Sequence, residues 1–164
     1  MLAVPARLDK SLLWLLSACT LLFFTFSVQA AGFALKDVNG KLHRLTDYRG
    51  KWVLINFWAS WCPPCLSEIP DLVDLHNAHK DRDLVVLGIA IDSGSRVNVA
   101  NFARQHGITY PTLLGNAELA TQIGPFDALP TSYLYAPNGM LVSYKEGMVT
   151  RESIENYIAT KKFH

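Results

Sequence analysis

A near-continuous apolar run, Val53-Leu54-Ile55-Asn56-Phe57-Trp58, is followed closely by the sequence Cys62-Pro63-Pro64-Cys65. A run this apolar is typical of a central strand that is covered on both faces, because a strand with one solvated face alternates polar and apolar residues. After the cysteines, apolar residues recur at helical spacing and predict a helix from about Pro63 to His79, with a kink at Pro70. The two cysteines are therefore expected between a buried strand and the start of a helix.

The remaining patterns place this strand–helix unit in an α/β domain with a mixed sheet. The turn signals Asn39-Gly40 and Pro137-Asn138-Gly139 are each flanked by strand-like runs and predict two antiparallel hairpins. Thr150 is a suitable cap for a last helix. The predicted strands are 33–38, 42–45, 53–58, 84–91, 112–114, 131–135 and 141–145, and a further helix is predicted at 96–106. Alternating strands and helices followed by a hairpin and a helix indicate a central sheet with helices on both faces.

The N-terminus carries a targeting element. Arg7 and Lys10 precede the stretch from Ser11 to Val28, which contains no charged residue, and Val28-Gln29-Ala30 offers small residues for cleavage. The stretch is also long enough to be an uncleaved anchor, and Leu16-Ser17-Ala18-Cys19 resembles a lipobox. We therefore expect residues 1–31 to be a signal peptide or membrane anchor. Residues 32–164 are then one domain in the periplasm or at the extracytoplasmic face of the bacterial inner membrane.

Charge and cysteine content give no reason to expect nucleic-acid binding or a structural metal site. The formal net charge is +1 and no run of Lys or Arg is present, so nucleic acid is not an expected partner. The chain has 3 cysteines, of which Cys19 lies in the apolar leader, so a structural zinc site with four Cys or His ligands is not expected. His76 and His79 are interpreted as solvated side chains on the surface of a helix, and His43 has no visible partner. No metal or cofactor is predicted.

The predicted position of the two cysteines suits redox chemistry. The free N–H groups and the positive dipole end at the start of a helix stabilise a thiolate, which is the species that attacks a disulfide. Cys62 is therefore the candidate nucleophile, and Cys65, nearly one helical turn later, is the candidate resolving thiol. The alternative is a purely structural disulfide, but so short a loop contributes little stability through chain entropy.

The stretch Asn56–Cys65 resembles the thioredoxin superfamily. Together with Lys51-Trp52, Glu68-Ile69-Pro70 and Ala128-Leu129-Pro130-Thr131, it is similar to the membrane-tethered TlpA/ResA/CcmG (DsbE) branch. The resemblance implies a thioredoxin fold whose mixed central sheet is flanked by helices, with an N-terminal β-hairpin and a central βα insertion. It also implies a redox-active disulfide that serves outside the cytoplasm, usually to reduce other proteins.

The resemblance further implies roles for residues around the cysteines. Trp61 corresponds to an exposed aromatic residue that shapes the docking surface, and Pro130 to a cis proline that turns the backbone of Leu129 toward an extended substrate segment. Where cytosolic thioredoxins bury an Asp this chain has Asn56, which cannot take a proton. We therefore expect Glu68 to act as the proton acceptor for the cysteines. The alternative is a carboxylate that only complements the helix dipole.

The expected function is that of a protein thiol–disulfide oxidoreductase that acts outside the cytoplasm. Pro63 removes an N–H that could stabilise the Cys62 thiolate, which favours a reducing couple. The expected partners are protein disulfides, for example in an apocytochrome c during cytochrome c maturation, and a membrane electron donor of the DsbD/CcdA type. The alternatives are a general periplasmic reductase or isomerase and a copper-binding chaperone. A peroxidase of the peroxiredoxin family would need Thr-x-x-Cys, but Ala59 stands at the threonine position.

Overall fold

The computed structural model describes residues 33–161 and contains a five-stranded mixed sheet with helices on both faces. The strands are β1 Ala34–Lys36, β2 Leu42–Arg44, β3 Trp52–Trp58, β4 Leu84–Ile91, β5 Thr112–Gly115, β6 Thr131–Tyr135 and β7 Leu141–Glu146. The strand order of the sheet is β5-β4-β3-β6-β7. Strands β3, β4 and β5 are parallel, β6 is antiparallel to β3, and β7 is antiparallel to β6. The helices are α1 Pro63–His79, α2 Arg96–Gln105, α3 Ala117–Ile123 and α4 Arg151–Ala159, and Leu45–Tyr48 forms a 3-10 turn.

The two central strands are buried along their whole length. Every residue of β3 and of β4 is buried, as the apolar runs predict for parallel strands covered on both faces. One face of the sheet packs against α1 and α4 through side chains such as Leu54, Leu72 and Ile154. The other face packs against the N-terminal hairpin and α3 through Phe57, Leu113 and other apolar residues.

The hairpin formed by β1 and β2 docks on the open edge of β5. The N–H of Val38 donates to the carbonyl of Thr112 at 2.9 Å. The hairpin is held by a buried polar cluster in which His43 Nε2 lies 3.1 Å from the Asp37 carboxylate and His43 Nδ1 is hydrogen-bonded to the Tyr48 hydroxyl. The sequence shows no partner for His43, because this contact forms only when the hairpin folds back.

Most predicted elements are present within a residue or two of their expected bounds. Two were not predicted: the 3-10 turn at Leu45–Tyr48 and helix α3. Helix α3 is short, and its cap, in which Asn116 Oδ1 accepts from the N–H of Leu119 at 2.8 Å, is its clearest sequence signal. The leader expected at residues 1–31 lies outside the described residues. Among the helices at 33–161, none combines the length and the apolar character needed to span a membrane.

Candidate active site

Cys62 and Cys65 form a disulfide at the N-terminus of α1, with their Cα atoms 5.3 Å apart. Cys62 is the N-cap residue and is 5% exposed, whereas Cys65 is fully buried. The Cys62 sulfur accepts a hydrogen bond from the N–H of Cys65 at 3.4 Å. The intervening Pro63 and Pro64 have no N–H to offer, so the amide of Cys65 is the backbone donor that reaches this sulfur. An incoming thiol or disulfide therefore meets Cys62 first.

A cleft of about 400 Å³ opens beside Cys62. Trp61 is 63% exposed at its rim, and its indole N–H donates to the carbonyl of Asp92 at 3.3 Å. Leu129 lines the cleft, and the Leu129–Pro130 peptide bond is cis, as the resemblance implied. The full lining is Trp61, Cys62, Pro63, Pro64, Ile91, Asp92, Ala117, Phe126, Asp127, Ala128 and Leu129. The cleft is thus mostly apolar, and its charged side chains are both carboxylates.

Glu68 lies one helical turn after Cys65 and is 2% exposed. One carboxyl oxygen accepts from Asn56 Nδ2 at 2.7 Å, and the other accepts from the N–H of Val149 at 3.0 Å. Burial raises the pKa of Glu68 to about 7, although both hydrogen bonds act to lower it. Its burial and its two hydrogen bonds distinguish Glu68 from an exposed carboxyl that only complements the helix dipole. Its pKa allows it to gain or lose a proton near neutral pH.

The groups that hold Glu68 come from distant parts of the chain. Asn56 stands at the position where cytosolic thioredoxins bury an Asp, and its amide also donates to Ser132 Oγ at 3.1 Å. In the sequence, Asn56 stands out only as a departure from that pattern, and Ser132 and Val149 do not stand out at all. No local signal marks these partners, because Val149 is 81 positions away from Glu68 along the chain.

The expectation that His76 and His79 are solvated surface residues is wrong for His76. His76 is 6% exposed, because it lies on the inner face of α1, and its Nδ1 accepts from the N–H of Val86 at 3.2 Å. Burial lowers the pKa of His76 to about 4, so this side chain is neutral at physiological pH. His79 is hydrogen-bonded to Asp83 at 2.8 Å and to Glu155 at 3.0 Å. Within 33–161, no three His, Cys, Asp or Glu side chains are grouped so that they could hold a metal ion.

Comparisons with known proteins agree with this geometry. Residues 27–144 match the model of the AhpC/TSA family. The thiol-disulfide oxidoreductase ResA of Geobacillus thermodenitrificans (strain NG80-2) is 33% identical over 133 residues, which cover 81% of this chain and 76% of the relative. The protein of the same name from Bacillus subtilis (strain 168) is 31% identical over 129 residues, covering 79% of this chain and 72% of the relative.

Solved structures are similar over the same region. A thiol:disulfide interchange protein of the thioredoxin family from Chlorobium tepidum TLS has a TM-score of 0.70 and 29% identity, covering 78% of this chain and 91% of that chain. A DsbF homologue from Corynebacterium diphtheriae has a TM-score of 0.72 and 27% identity, with 79% and 84% of the two chains covered. The likeness therefore extends over the whole domain that carries the two cysteines.

Proposed function

This chain belongs to the AhpC/TSA family and is a thioredoxin-fold thiol–disulfide oxidoreductase similar to ResA, and on that premise we propose that it reduces disulfides of other proteins outside the cytoplasm. The observation that carries the proposal is the unequal burial of the two sulfurs. Cys62 borders the cleft, and Cys65 lies fully buried behind it. A partner can therefore bond to Cys62 alone, and Cys65 is placed to release it.

The proposed reaction has two exchange steps. The Cys62 thiolate attacks one sulfur of the substrate disulfide, which forms a mixed disulfide and releases the other substrate sulfur as a thiolate that takes up a proton. Cys65 then gives its proton to the Glu68 carboxylate and attacks the Cys62 sulfur. The second substrate thiolate leaves, so two electrons have passed to the substrate and the Cys62–Cys65 disulfide remains. A membrane electron donor of the DsbD/CcdA type is proposed to restore the dithiol.

Two features of the site support the reducing direction. Pro63 and Pro64 lack the N–H groups that other residues would offer to the Cys62 sulfur, so the hydrogen bond from Cys65 is the backbone hydrogen bond that this sulfur receives. Above neutral pH the buried Glu68 carboxylate adds a negative charge behind the cysteines. Both features disfavour thiolates and therefore make the dithiol a stronger reductant; about 30 mV corresponds to about 1.4 kcal/mol for this couple.

The cleft supports a protein substrate. The backbone N–H and C=O of Leu129 make no hydrogen bond with any other residue of the described chain, so an extended segment can pair with them, and Pro130 follows in a cis bond. The exposed Trp61 offers an apolar surface beside this segment. We propose that Trp61, Leu129 and Pro130 bind substrate. An apocytochrome c whose cysteines must be reduced before haem attachment is the substrate we propose first.

Trapping in cells tests the substrate. The variant Cys65→Ser retains mixed disulfides on Cys62 because the resolving thiol is missing, and the double variant Cys62→Ser/Cys65→Ser is the matched control. Apocytochromes captured by the single variant alone support the proposal. Capture of folding envelope proteins without apocytochromes would replace it by a general reductase or isomerase role, and copper bound by the reduced protein would favour a chaperone.

A further inference from the structure

Strand β7 lies at the end of the sheet and, among residues 33–161, has a neighbouring strand on one side only, which is β6. In the same part of the chain six large apolar side chains are exposed, and four of them lie on or next to β7: Met140, Leu141, Tyr144 and Met148. The free N–H and C=O groups on an open side of a strand can pair with another extended chain. Exposed apolar side chains concentrated beside such groups therefore indicate that the free side of β7 (the β7 edge) is a binding surface.

The backbone of β7 directs hydrogen-bonding groups to this edge. In an antiparallel pair of strands, residues that exchange hydrogen bonds with the neighbouring strand alternate with residues that do not. The N–H of Gly147 donates to the carbonyl of Pro130 at 2.8 Å. The next pair along the ladder is Glu146 with Thr131. The alternation therefore directs the N–H and C=O groups of Glu146 and of Tyr144 away from β6 and toward the β7 edge.

A groove of about 290 Å³ lies between β7 and α4. The Tyr157 hydroxyl of α4 donates to the carbonyl of Val142 at 2.7 Å and so holds the helix beside the strand. The lining is Leu134, Ser143, Tyr144, Lys145, Met148, Val149, Thr150, Ser153, Ile154 and Tyr157. When a peptide adds to a sheet as a strand, its backbone pairs with the edge and pockets receive alternate side chains. The groove is such a pocket on the face of the sheet that packs against α4.

The opposite face of the sheet offers a second apolar contact at the β7 edge. The ring of Tyr144 packs against the buried Tyr133, with 5.1 Å between the ring centroids, and is itself partly exposed. Side chains of a strand point alternately to the two faces of a sheet. A chain that paired with β7 would therefore place one set of side chains in the groove and the other set beside Tyr144.

The β7 edge is continuous with the segment proposed to bind substrate. The hydrogen bond of Gly147 joins the end of β7 to Pro130, and Met148, the next residue, lines the groove. The six residues of β7 extend over about 20 Å at about 3.3 Å per residue. A substrate that docks at Leu129 can continue along this edge only where its own backbone is unpaired, and hence only where it is unfolded.

A second copy of this chain is a less suitable occupant. A stable dimer interface buries about 1,200–2,000 Å² in total, whereas this surface consists of one strand of six residues and one groove. A substrate is already attached to Cys62 during the proposed reaction. A weak additional contact is then sufficient, because the second binding event takes place within one complex.

We propose that the β7 edge binds an extended, unfolded segment of the protein substrate, which adds to the sheet as a strand and places apolar side chains in the groove and beside Tyr144. The inference rests on the proposed function, because the substrate is the protein whose disulfide Cys62 reduces. The β7 edge favours substrates that have not yet folded, since a folded protein has little unpaired backbone to offer.

Two pairs of variants test the proposal. Tyr144→Pro removes the N–H that faces the β7 edge and leaves the ladder with β6, because proline is tolerated where the N–H of an edge strand points outward. Its matched control is Tyr144→Ala, which removes the same ring and keeps the N–H. Leu141→Ser removes exposed apolar surface from β7, and Val97→Ser removes it from α2 as the control.

The assay compares two disulfide probes with the reduced protein. One is a long unfolded polypeptide that carries one disulfide and a segment of alternating Val and Ser, and the other is a short peptide with the same disulfide. Loss of one backbone hydrogen bond should lower kcat/KM for the long probe about fivefold in Tyr144→Pro relative to Tyr144→Ala. Leu141→Ser should lower it about threefold and Val97→Ser should not. The short peptide should be reduced equally well by all four variants.

Amide hydrogen exchange measures the pairing without the redox reaction. The amides of Tyr144 and Glu146 should exchange freely in the oxidised parent protein and become protected when the long probe, with Ser in place of its cysteines, is added. This measurement needs no variant, so it remains decisive if Tyr144→Pro does not fold.

Protection by the long probe, together with rate losses confined to that probe, supports the proposal. It is overturned if these amides stay unprotected, or if the two probes lose kcat/KM equally. Protection before any probe is added also overturns it, and sedimentation velocity then shows whether a second copy or the chain itself covers the edge. If the parent protein reduces neither probe, the proposed function fails, whereas hydrogen exchange still tests the β7 edge.

Discussion

Replacing Glu68 by Gln should remove a pH dependence of stability that the buried carboxyl introduces. The pKa of Glu68 is raised from 4.5 to about 7, chiefly by burial. A carboxyl with a raised pKa binds more protons in the folded than in the unfolded chain between these two values, so stability falls as the pH rises through this window. Each pH unit corresponds to about 1.4 kcal/mol, and the full loss between pH 4 and pH 8 is therefore about 3 kcal/mol. Gln cannot ionise and should show no such loss.

The assay is urea unfolding of the oxidised protein at pH values from 4 to 8. The introduced glutamine amide would place an NH₂ near a donor and so shift the unfolding free energy at every pH, but only the pH-dependent part tests the reasoning. The difference between variant and parent should change by about 3 kcal/mol across the range in favour of the variant at high pH. Glu152→Gln, at an exposed position of α4, is the matched control. Parallel curves for Glu68→Gln and the parent protein would refute the reasoning.

Three further results are expected. Gly88→Ala should lower the unfolding free energy by about 1–3 kcal/mol in urea titrations, because its Cβ would lie 2.6 Å from the Tyr110 ring; an unchanged midpoint would contradict this packing. Burial acts to raise the pKa of Asp37, but hydrogen bonds from His43 and two backbone amides together lower it below the usual 3.8. The ionised carboxylate therefore stabilises the folded chain above pH 3.8, and this stabilisation is lost as the pH falls below that value. Asp37→Asn should therefore be about 2 kcal/mol less stable at pH 7, and the deficit should shrink on acidification. Asp127→Asn should lower kcat/KM for a disulfide peptide flanked by Lys about threefold at low salt, and it should have no such effect at 1 M salt. A peptide flanked by Ser is the control, and an equal loss of kcat/KM for both peptides would exclude a charge effect.

The elements around the disulfide could be predicted from sequence because their signals are local. The unbroken apolar runs of β3 and β4 and the helical spacing after Cys62 identify buried strands and a helix without any knowledge of their partners. Helix α3 was missed because seven residues give too short a periodic pattern to stand out. The prediction from local pattern was also wrong for His76, because the sequence of a helix alone does not show which of its faces packs against the sheet.

The candidate site could be predicted only where its residues are close together along the chain. The positions of Cys62, Cys65 and Glu68 on one helix follow from their separation along the chain, and the structure places them as expected. The partners of Glu68 could not be found in this way, because Asn56 and Val149 meet it only in the folded sheet. The raised pKa depends on those contacts and on burial, so no sequence pattern could have provided it.

The contacts of Glu68 also explain why a carboxyl serves here better than an apolar residue. The N–H of Val149 is buried against it and would be left without an acceptor by Leu or Ala, at a cost of about 1–3 kcal/mol. Two residues earlier, the N–H of Gly147 donates at 2.8 Å to the carbonyl of Pro130, in the segment proposed to bind substrate. Glu68 thus binds the loop that contains Gly147 and Val149, and this loop binds Pro130 in the segment proposed to contact the substrate. Removing the carboxyl altogether would change chemistry and docking together. Gln keeps an acceptor oxygen for Val149 but turns an NH₂ toward Asn56. The pH-dependent part of the effect of Glu68→Gln on thiol exchange is therefore the part that can be attributed to the proton.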